Sequence, residues 1–306
     1  MTVKLTATRL ILAAALHFAA ACTSAAQAEG PISLRNVTEQ TGITFRHTDG
    51  GSGRHYIAET VTAGLATFDF DHDGLIDIYF LNGSPLRGNP TTERATNVLY
   101  RNLGEFQFVD ITETAGVADE SYGMGVAVGD FDNDRYPDIF CNNFGPNILY
   151  RNNGDGTFSE ATNRVGVGSE KHLGAGANFL DIDSDGDLDL FVSDYVDFSY
   201  DNHRTATIRG RSNYAGPRDY DPQPNHLYRN HGDGTFTDIT GVSGIGDHPG
   251  SGMGTVCLDY DQDGRTDIFV CNDQRWDFLF HNEGGGQFTE LGLLAGVACN
   301  FSGGPT

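Results

Sequence analysis

Short apolar runs recur along the chain, and each is flanked by acidic and glycine-rich segments. The clearest are Ile78–Phe80, Ile139–Phe140, Leu190–Val192 and Ile268–Val270. Apolar runs of this length, bounded by turn residues, are typical of β-strands. The chain has 306 residues, of which 40 are glycine, and this agrees with many short strands joined by tight turns.

Each apolar run belongs to a repeat that occurs four times. The repeat begins with a glycine-rich strand such as Gly123–Gly125, continues through an aspartate-rich loop into the apolar run, and ends with a hairpin. The hairpins at Asn147–Phe158 and Asn225–Phe236 are nearly identical, and looser copies start at Asn97 and Asp277. Four-stranded repeats arranged radially are the blades of a propeller. The sequence therefore predicts an all-β fold, a β-propeller of four-stranded blades, with an incomplete ring as an open alternative.

Three segments depart from the repeat. Residues 36–43 resemble residues 110–117, the end of a repeat, and we expect this N-terminal segment to pair with the last blade, as propellers often close. Residues 301–304 resemble the start of a fifth repeat, so the chain is expected to be a truncated form of a longer propeller. An insertion at about 195–224 is rich in Arg, Asp, Tyr and Pro, and loops of that length are usually functional or disordered.

The first 28 residues have the pattern of a secretory signal peptide, followed by a propeller domain at 29–306. Lys4 and Arg9 precede an apolar stretch that is too short to span a membrane, and Ala26–Ala28 offers a cleavage site. The alternative is a lipobox in which Cys22 is lipidated, although Ala19 stands where leucine is usual. The expected location is extracellular or periplasmic, with a lipid anchor at the cell surface only in the second case.

The charge is strongly acidic, with 42 acidic against 19 basic residues and a net charge of −23. No basic surplus exists to neutralise phosphates, so nucleic acid is excluded as a partner. An acidic surface suits metal ions, basic partners or simple solubility. Cys257 and Cys271 flank one hairpin. They could form a disulfide, or each could serve as a small apolar residue of its strand, and both alternatives stay open.

The four loops share the pattern D-x-D-x-D-x-x-x-D, which places carboxylates at positions 1, 3, 5 and 9. A carbonyl at position 7 completes a cage of oxygens, which suits calcium better than magnesium, zinc or copper. The acidic loop recurs at the same place in all four repeats, which ordinary surface turns would not do. Its carboxylates would also repel one another without cations. We expect about four calcium ions, one for each loop. The candidate ligands are Asp69, Asp71, Asp73, Leu75 and Asp77, Asp130, Asp132, Asp134, Tyr136 and Asp138, Asp181, Asp183, Asp185, Asp187 and Asp189, and Asp259, Asp261, Asp263, Arg265 and Asp267.

The second loop departs from the others at position 6, where Arg135 replaces the glycine that a left-handed backbone favours. Such a residue costs about 1 kcal/mol, and its cation lies near the site. The sequence therefore predicts that the second loop binds calcium most weakly.

These repeats resemble FG-GAP/VCBS repeats, the kind found in integrin α-chain propellers, and most closely those of the cartilage-acidic-protein-like family that carries ASPIC/UnbV domains. The resemblance extends over essentially all of residues 31–306. It implies a calcium-binding extracellular propeller, and relatives carry an ASPIC/UnbV module that this sequence lacks. The residues that carry it are Tyr56–Thr60, Tyr122–Asp138, Asn143–Asn147, Asp194–Asp197 and Leu291–Val297.

Three functions are compatible with this pattern. The favoured one is a non-enzymatic binding or adhesion module in which calcium stiffens the blades and a protein or glycan is the ligand. An extracellular hydrolase or lyase is the alternative, with His55 and Glu59 or His203 and Arg209–Arg218 as candidates, but no spacing identifies a nucleophile and its base. A structural lipoprotein, held at the membrane only through Cys22, is the third. The insertion adds Arg204, Arg209, Arg211, Arg218, Tyr214 and Tyr220 as a candidate partner surface or a solvated loop.

Overall fold

The computed structural model describes residues 35–61, 63–91, 95–168, 172–300 and 302–305. The predicted signal segment 1–28, including Cys22, lies outside the described residues, and so does Phe301. The chain divides into residues 1–38 and a second compact unit, residues 39–306. In the first, the Thr38 backbone amide donates a hydrogen bond of 3.0 Å to Asn36. Among the described residues, no helix has both the length and the hydropathy needed to cross a bilayer.

The predicted all-β fold is confirmed, since the described residues of the second unit form four antiparallel sheets of four strands each, besides a two-stranded hairpin. We call these sheets blades 1 to 4. Blade 1 contains β1 (Leu65–Phe68), β2 (Asp77–Phe80), β3 (Val98–Asn102) and β4 (Phe108–Asp110), and blade 2 contains β5 (Tyr122–Gly129), β6 (Asp138–Phe144), β7 (Ile148–Asn152) and β8 (Phe158–Glu160).

Blade 3 is interrupted by a separate hairpin of two strands, β11 and β12. The sequence predicts only an insertion there, since the segment has no regular pattern of apolar and polar residues. Blade 3 contains β9 (Gly174–Leu180), β10 (Asp189–Asp194), β13 (His226–Asn230) and β14 (Phe236–Asp238), the hairpin contains β11 (Thr205–Ile208) and β12 (Arg211–Tyr214), and blade 4 contains β15 (Gly252–Leu258), β16 (Asp267–Asn272), β17 (Phe278–Gly284) and β18 (Gln287–Glu290).

A single helical turn follows the last strand of every blade. The turns are α1 (Thr112–Ala115), α2 (Thr162–Val165), α3 (Thr240–Ser243) and α4 (Gly292–Ala295), and 3₁₀ turns lie at Thr38–Gln40, Ile57–Thr60, Pro217–Asp219 and Ile245–Asp247.

The glycine-rich first strands lie side by side, so that β5 contacts β1 on one side and β9 on the other, and β9 contacts β15. At Gly125 a Cβ atom would lie 1.7 Å from the carbonyl oxygen of Ala175 in the next blade. Only glycine permits two backbones to approach this closely. The recurring glycines of the first strand are therefore the residues that let neighbouring blades pack.

The N-terminal segment packs on blade 1, not on the last blade as the sequence suggested. The backbone amide of Phe108, in β4, donates a hydrogen bond of 2.8 Å to the carbonyl of Thr41. Gly42 has a φ of +81°, and a Cβ atom on it would lie 2.6 Å from the carbonyl oxygen of Phe108. Gly166, at the end of blade 2, has the same relation to the following blade, since a Cβ there would lie 3.2 Å from the carbonyl oxygen of Phe236. The segment thus takes the place of the last turn of a preceding blade, consistent with its resemblance to the end of a repeat.

Apolar side chains from the aspartate-loop end of one blade pack against the last strand of the next. Phe131 is fully buried, and its ring lies 5.8 Å from that of Phe236. At the equivalent position of blade 4, Tyr260 is 37% exposed, and Val256 and Leu294 on the same face are 53% and 85% exposed. Among the described residues, this face of blade 4 is therefore apolar like the corresponding faces of the other blades, but no further blade covers it.

In blades 2 to 4, one asparagine at the end of the third strand ties the blade to the one before it. The side-chain amide of Asn152 donates to Pro137 of its own blade at 3.2 Å and to Phe70 of blade 1 at 2.9 Å. Asn230 reaches Phe131 at 2.7 Å in the same way, and Asn282 reaches Ile182 at 2.8 Å. These three side chains are buried. They donate the hydrogen bonds that water would otherwise donate to carbonyl groups covered by the blade interface.

We expect Asn152→Ala to lower the free energy of unfolding by roughly 2–3 kcal/mol, because buried carbonyls in two blades would lose their donors. Asn102→Ala is the matched control. The Asn102 amide donates only to Ile76 of its own blade at 2.8 Å, so its loss should be roughly 1 kcal/mol. Chemical denaturation of both variants measures the difference. Equal losses would mean that the bond between blades contributes nothing.

Candidate metal centres and ligand cleft

Each aspartate-rich loop turns around the carboxylate of its first residue. In the first loop, Asp69 accepts hydrogen bonds from the backbone amides of Asp73 at 3.1 Å and Gly74 at 2.9 Å. Positions 4 and 6 adopt left-handed backbone in every loop. The φ values are +60°, +58°, +61° and +65° for His72, Asn133, Ser184 and Gln262 at position 4, and +84°, +79°, +91° and +89° for Gly74, Arg135, Gly186 and Gly264 at position 6.

The ninth residue of each loop is a buried aspartate that closes the turn. The Asp138 carboxylate accepts hydrogen bonds from the backbone amides of Phe131 at 3.0 Å and Asn152 at 2.7 Å. Asp77, Asp189 and Asp267 accept the equivalent pairs. Each of these aspartates therefore links the loop to the third strand of its own blade.

Burial raises the pKa of the closing carboxylates in the first three loops, Asp77, Asp138 and Asp189. The pKa of Asp138 is raised to about 8, with the charges of Asp132 and Asp134 acting in the same direction as burial and the two backbone hydrogen bonds opposing it. Burial also raises the pKa of Asp77 to about 6 and that of Asp189 to about 7. Crowded negative charge of this kind is what a bound cation would relieve.

An arginine on the third strand reaches over the carboxylates at positions 3 and 5, which sequence reasoning missed. Arg101 lies 2.7 Å from Asp71 and 3.1 Å from Asp73. Arg151 and Arg229 occupy the same place in blades 2 and 3, pairing with Asp132 and Asp134 and with Asp183. The signal was present in the recurring Tyr-Arg-Asn of the hairpins, where the arginine follows a buried tyrosine.

The fourth loop has a histidine in place of that arginine. The Nδ1 atom of His281 lies 3.1 Å from Asp267 and 3.7 Å from Asp261. In this loop Arg265, at position 7, pairs with Asp263 and donates to the Asn282 carbonyl at 2.6 Å. The acidic groups of this loop are therefore paired with His281 and Arg265, and not with an arginine of the third strand as in the other three loops.

The carboxylates of positions 1, 3 and 9 converge. In loops one to three their oxygen atoms lie within 4.8 Å of one another. One oxygen at position 3, in each of Asp71, Asp132 and Asp183, is buried without a hydrogen-bond partner. The backbone amides of Leu75, Tyr136, Asp187 and Arg265, at position 7, donate at 2.9 Å to the aspartate two residues earlier. A donor set made only of oxygen, with an unsatisfied buried carboxylate oxygen, fits a hard divalent cation.

A cleft of about 720 Å³ lies at the other end of the blades, where the second strands finish. The insertion forms one wall, because residues 197–201 line the cleft opposite residues 84–87 of blade 1. Its apolar surface comes from Leu86, Tyr122, Phe144, Phe198 and Tyr200, and polar residues of both signs, including Arg87, Glu120, Asp197 and Asp201, line it as well.

The cleft wall is held together by aromatic contacts and one ion pair. The Tyr200 ring lies 5.5 Å from that of Phe144 and 5.1 Å from that of Tyr56. Arg87 lies over the Tyr200 ring at 4.4 Å and pairs with Asp201 at 3.3 Å. Clefts that combine aromatic faces with a few oriented polar groups are typical ligand sites.

The histidines considered as catalytic candidates take part in contacts between the insertion and residues 52–60. Glu59 accepts a hydrogen bond of 2.8 Å from Tyr214, and His55 lies 3.4 Å from the Ser212 hydroxyl. His203 contacts the Arg54 carbonyl at 3.1 Å. In this arrangement Glu59 holds the insertion hairpin through Tyr214.

Cys141, Cys257, Cys271 and Cys299 are free thiols in the described part of the chain. Cys271 lies opposite Gly254 in the sheet, whereas Cys257 lies opposite Ile268. The alternative of a disulfide between Cys257 and Cys271 is therefore wrong, because the register of blade 4 pairs each with another residue.

Known proteins resemble this chain in its repeats. A family profile described as FG-GAP-like repeat matches residues 69–141, 130–192 and 213–270, which together span more than half of the chain. Cartilage acidic protein 1 of Xenopus tropicalis is 43% identical over 49 residues, covering 16% of this chain and only 8% of that protein. The solved structure of an Agrocybe aegerita lectin, described as recognising non-reducing terminal N-acetylglucosamine, covers 75% of this chain and 52% of its own with 18% identity and a TM-score of 0.39. The likeness to the lectin is too distant to bear on function.

Proposed function

Since this chain belongs to the FG-GAP-like repeat family, we propose that it is an extracellular, non-enzymatic binding module whose blades are each stiffened by one calcium ion. The observation that carries the proposal is the buried position 3 oxygen without a partner, which recurs in Asp71, Asp132 and Asp183. A buried carboxylate oxygen left unsatisfied is costly, and its recurrence in three loops supports a ligand common to them.

Calcium is the cation that the donor set favours. The carboxylates at positions 1, 3, 5 and 9 and the carbonyl at position 7 offer five or more oxygens at flexible angles, as calcium requires. Magnesium prefers to keep several waters, and zinc prefers nitrogen or sulfur. The predicted signal peptide at 1–28 supports export to a compartment in which calcium is abundant.

The cleft at the opposite end of the blades is the proposed site for a protein or glycan ligand. Aromatic faces such as that of Tyr200 can pack against sugar rings or apolar side chains, while Glu120 and Asp201 can accept hydrogen bonds from hydroxyl or amide groups. The metal loops and the cleft lie at opposite ends of the same strands. Calcium therefore acts in this proposal as scaffold, and the binding energy of the metal becomes folding energy.

We expect excess calcium to raise the melting temperature of the purified chain well above its value in excess EGTA, because a ligand that binds only the folded state stabilises it. Thermal unfolding followed by circular dichroism measures the shift. Magnesium at the same concentration is the control and should give a smaller shift. Identical melting temperatures in calcium and EGTA would refute calcium binding by the loops.

Arg135→Gly should raise the calcium affinity of the second loop on the order of five-fold, since a left-handed residue other than glycine costs about 1 kcal/mol. Arg135 has a φ of +79°. The reverse change, Gly186→Arg in the third loop, should weaken that site by a similar factor. Isothermal titration of both variants measures the affinities, and four equal affinities in the unchanged chain would contradict the prediction.

The double variant Glu120→Lys and Asp201→Lys should reduce ligand binding at least ten-fold, because it reverses two exposed charges of the cleft without touching the core. A glycan array probed with the calcium-loaded chain is the first measurement. Glu105→Lys, an exposed change in the turn between β3 and β4 at the other end of blade 1, is the matched control. Equal binding by both variants would place the ligand outside the cleft.

A further inference from the structure

Two histidines and one aspartate meet at the cleft end of blade 3. His172 lies just before β9, Asp194 ends β10 and His226 begins β13. The Nδ1 atom of His172 is 3.1 Å from the Asp194 carboxylate, and the Nε2 atom of His226 is 3.2 Å from it. The three donor atoms all lie within 4.8 Å of one another.

The repeated blades show that the fold itself does not require these side chains. The register pairs His226 with Val192 in blade 3, as it pairs Ile148 with Cys141 in blade 2. By the same alignment Asp194 corresponds to Asn143, and His172 to Ser121. Blade 3 has therefore acquired three potential metal ligands at three positions that are neutral in blade 2, and the fold brings them to one point.

The site is buried and electrostatically demanding. Asp194 is fully buried, and the side chain of His172 is 4% exposed. The Oδ1 atom of Asp194 makes no hydrogen bond of acceptable geometry, although it lies 3.1 Å from Nδ1 of His172. A buried carboxylate requires a partner of positive charge.

The orientation of His172 is set by its neighbour Asn147. The Oδ1 atom of Asn147 accepts a hydrogen bond of 3.0 Å from the Asn143 backbone amide, so this atom is the oxygen of the side-chain amide. The Nε2 atom of His172 lies 3.1 Å from the same oxygen and must donate its proton there. A neutral His172 then presents the lone pair of Nδ1 to the Asp194 carboxylate, which is repulsive unless a cation lies between them.

The geometry points to a Zn²⁺ site formed by His172 Nδ1, Asp194 and His226 Nε2, separate from the aspartate loops. Zinc binds imidazole nitrogen and carboxylate oxygen at about 2.0–2.2 Å, so tetrahedral ligands are spaced about 3.3 Å apart. The two distances from the histidine nitrogens to Asp194, 3.1 and 3.2 Å, are close to this spacing. The Asn147 oxygen supplies the outer hydrogen bond that usually orients a ligating histidine. His172 also lines the cleft, and in this proposal the fourth ligand position lies on that side.

The test uses the full chain in saturating calcium, with Zn²⁺ alone as the probe and Co²⁺ as its spectroscopic substitute. We expect about one zinc ion per chain after dialysis, measured by mass spectrometry of the metal, and a Co²⁺ absorption spectrum of tetrahedral type. The variants His172→Ser, Asp194→Asn and His226→Ile place the residue of blade 2 at each position. Each should weaken zinc binding at least ten-fold while the melting temperature in calcium without zinc shows that the chain still folds.

The control is His281→Arg, which gives the fourth loop the arginine of the other three blades and should leave zinc binding unchanged. Loss of zinc in this variant would assign the ion to the fourth loop and overturn the proposal. Absence of zinc from the unchanged chain would overturn it as well. So would a zinc affinity in the Asp194→Asn and His226→Ile variants equal to that of the unchanged chain.

Discussion

The structure depends on how each blade satisfies the polar groups that it buries at the metal-loop end. A buried aspartate closes the loop by accepting two backbone amides, and the asparagine that supplies one of them also donates its side-chain amide to the preceding blade, as Asp138 and Asn152 do. Loop, blade and blade interface thus share one hydrogen-bonded network. Loosening any of the three would leave a buried donor or acceptor unpaired, which is more costly than the loss of the bond itself.

This network has a direct consequence for the charge of the loops. The closing aspartate is held among other carboxylates in a protein that is already strongly acidic, with a net charge of −23. Arginines such as Arg151 offset part of that charge on one side of the loop. One oxygen in each of Asp71, Asp132 and Asp183 remains buried without a hydrogen-bond partner, and these are the atoms that the proposed calcium ions would bind.

The two ends of the blades have diverged in different ways. At the loop end all four repeats keep the aspartates at positions 1, 3, 5 and 9, which form the turn and its carboxylate cluster. At the cleft end blade 3 differs most, with an insertion that covers the start of β5 and β9 through Phe198 and Tyr220, and with His172 and His226 at its base. Repetition provides the rigid frame, and the variable end is where a ligand can be recognised.

The sequence by itself determined the repeat, the all-β class and the four aspartate-rich loops, because these depend on local patterns: the alternation of strands and turns, and carboxylates spaced within nine residues. It also identified Arg135 as the unusual residue of its loop, since left-handed backbone is a local property. Only the tertiary structure decided which strands meet. The packing of the N-terminal segment on blade 1, the reach of Asn152 to Phe70 and the meeting of His172, Asp194 and His226 join residues far apart in the chain. Their proximity is set by the packing of whole blades, for which a single sequence has no local signal.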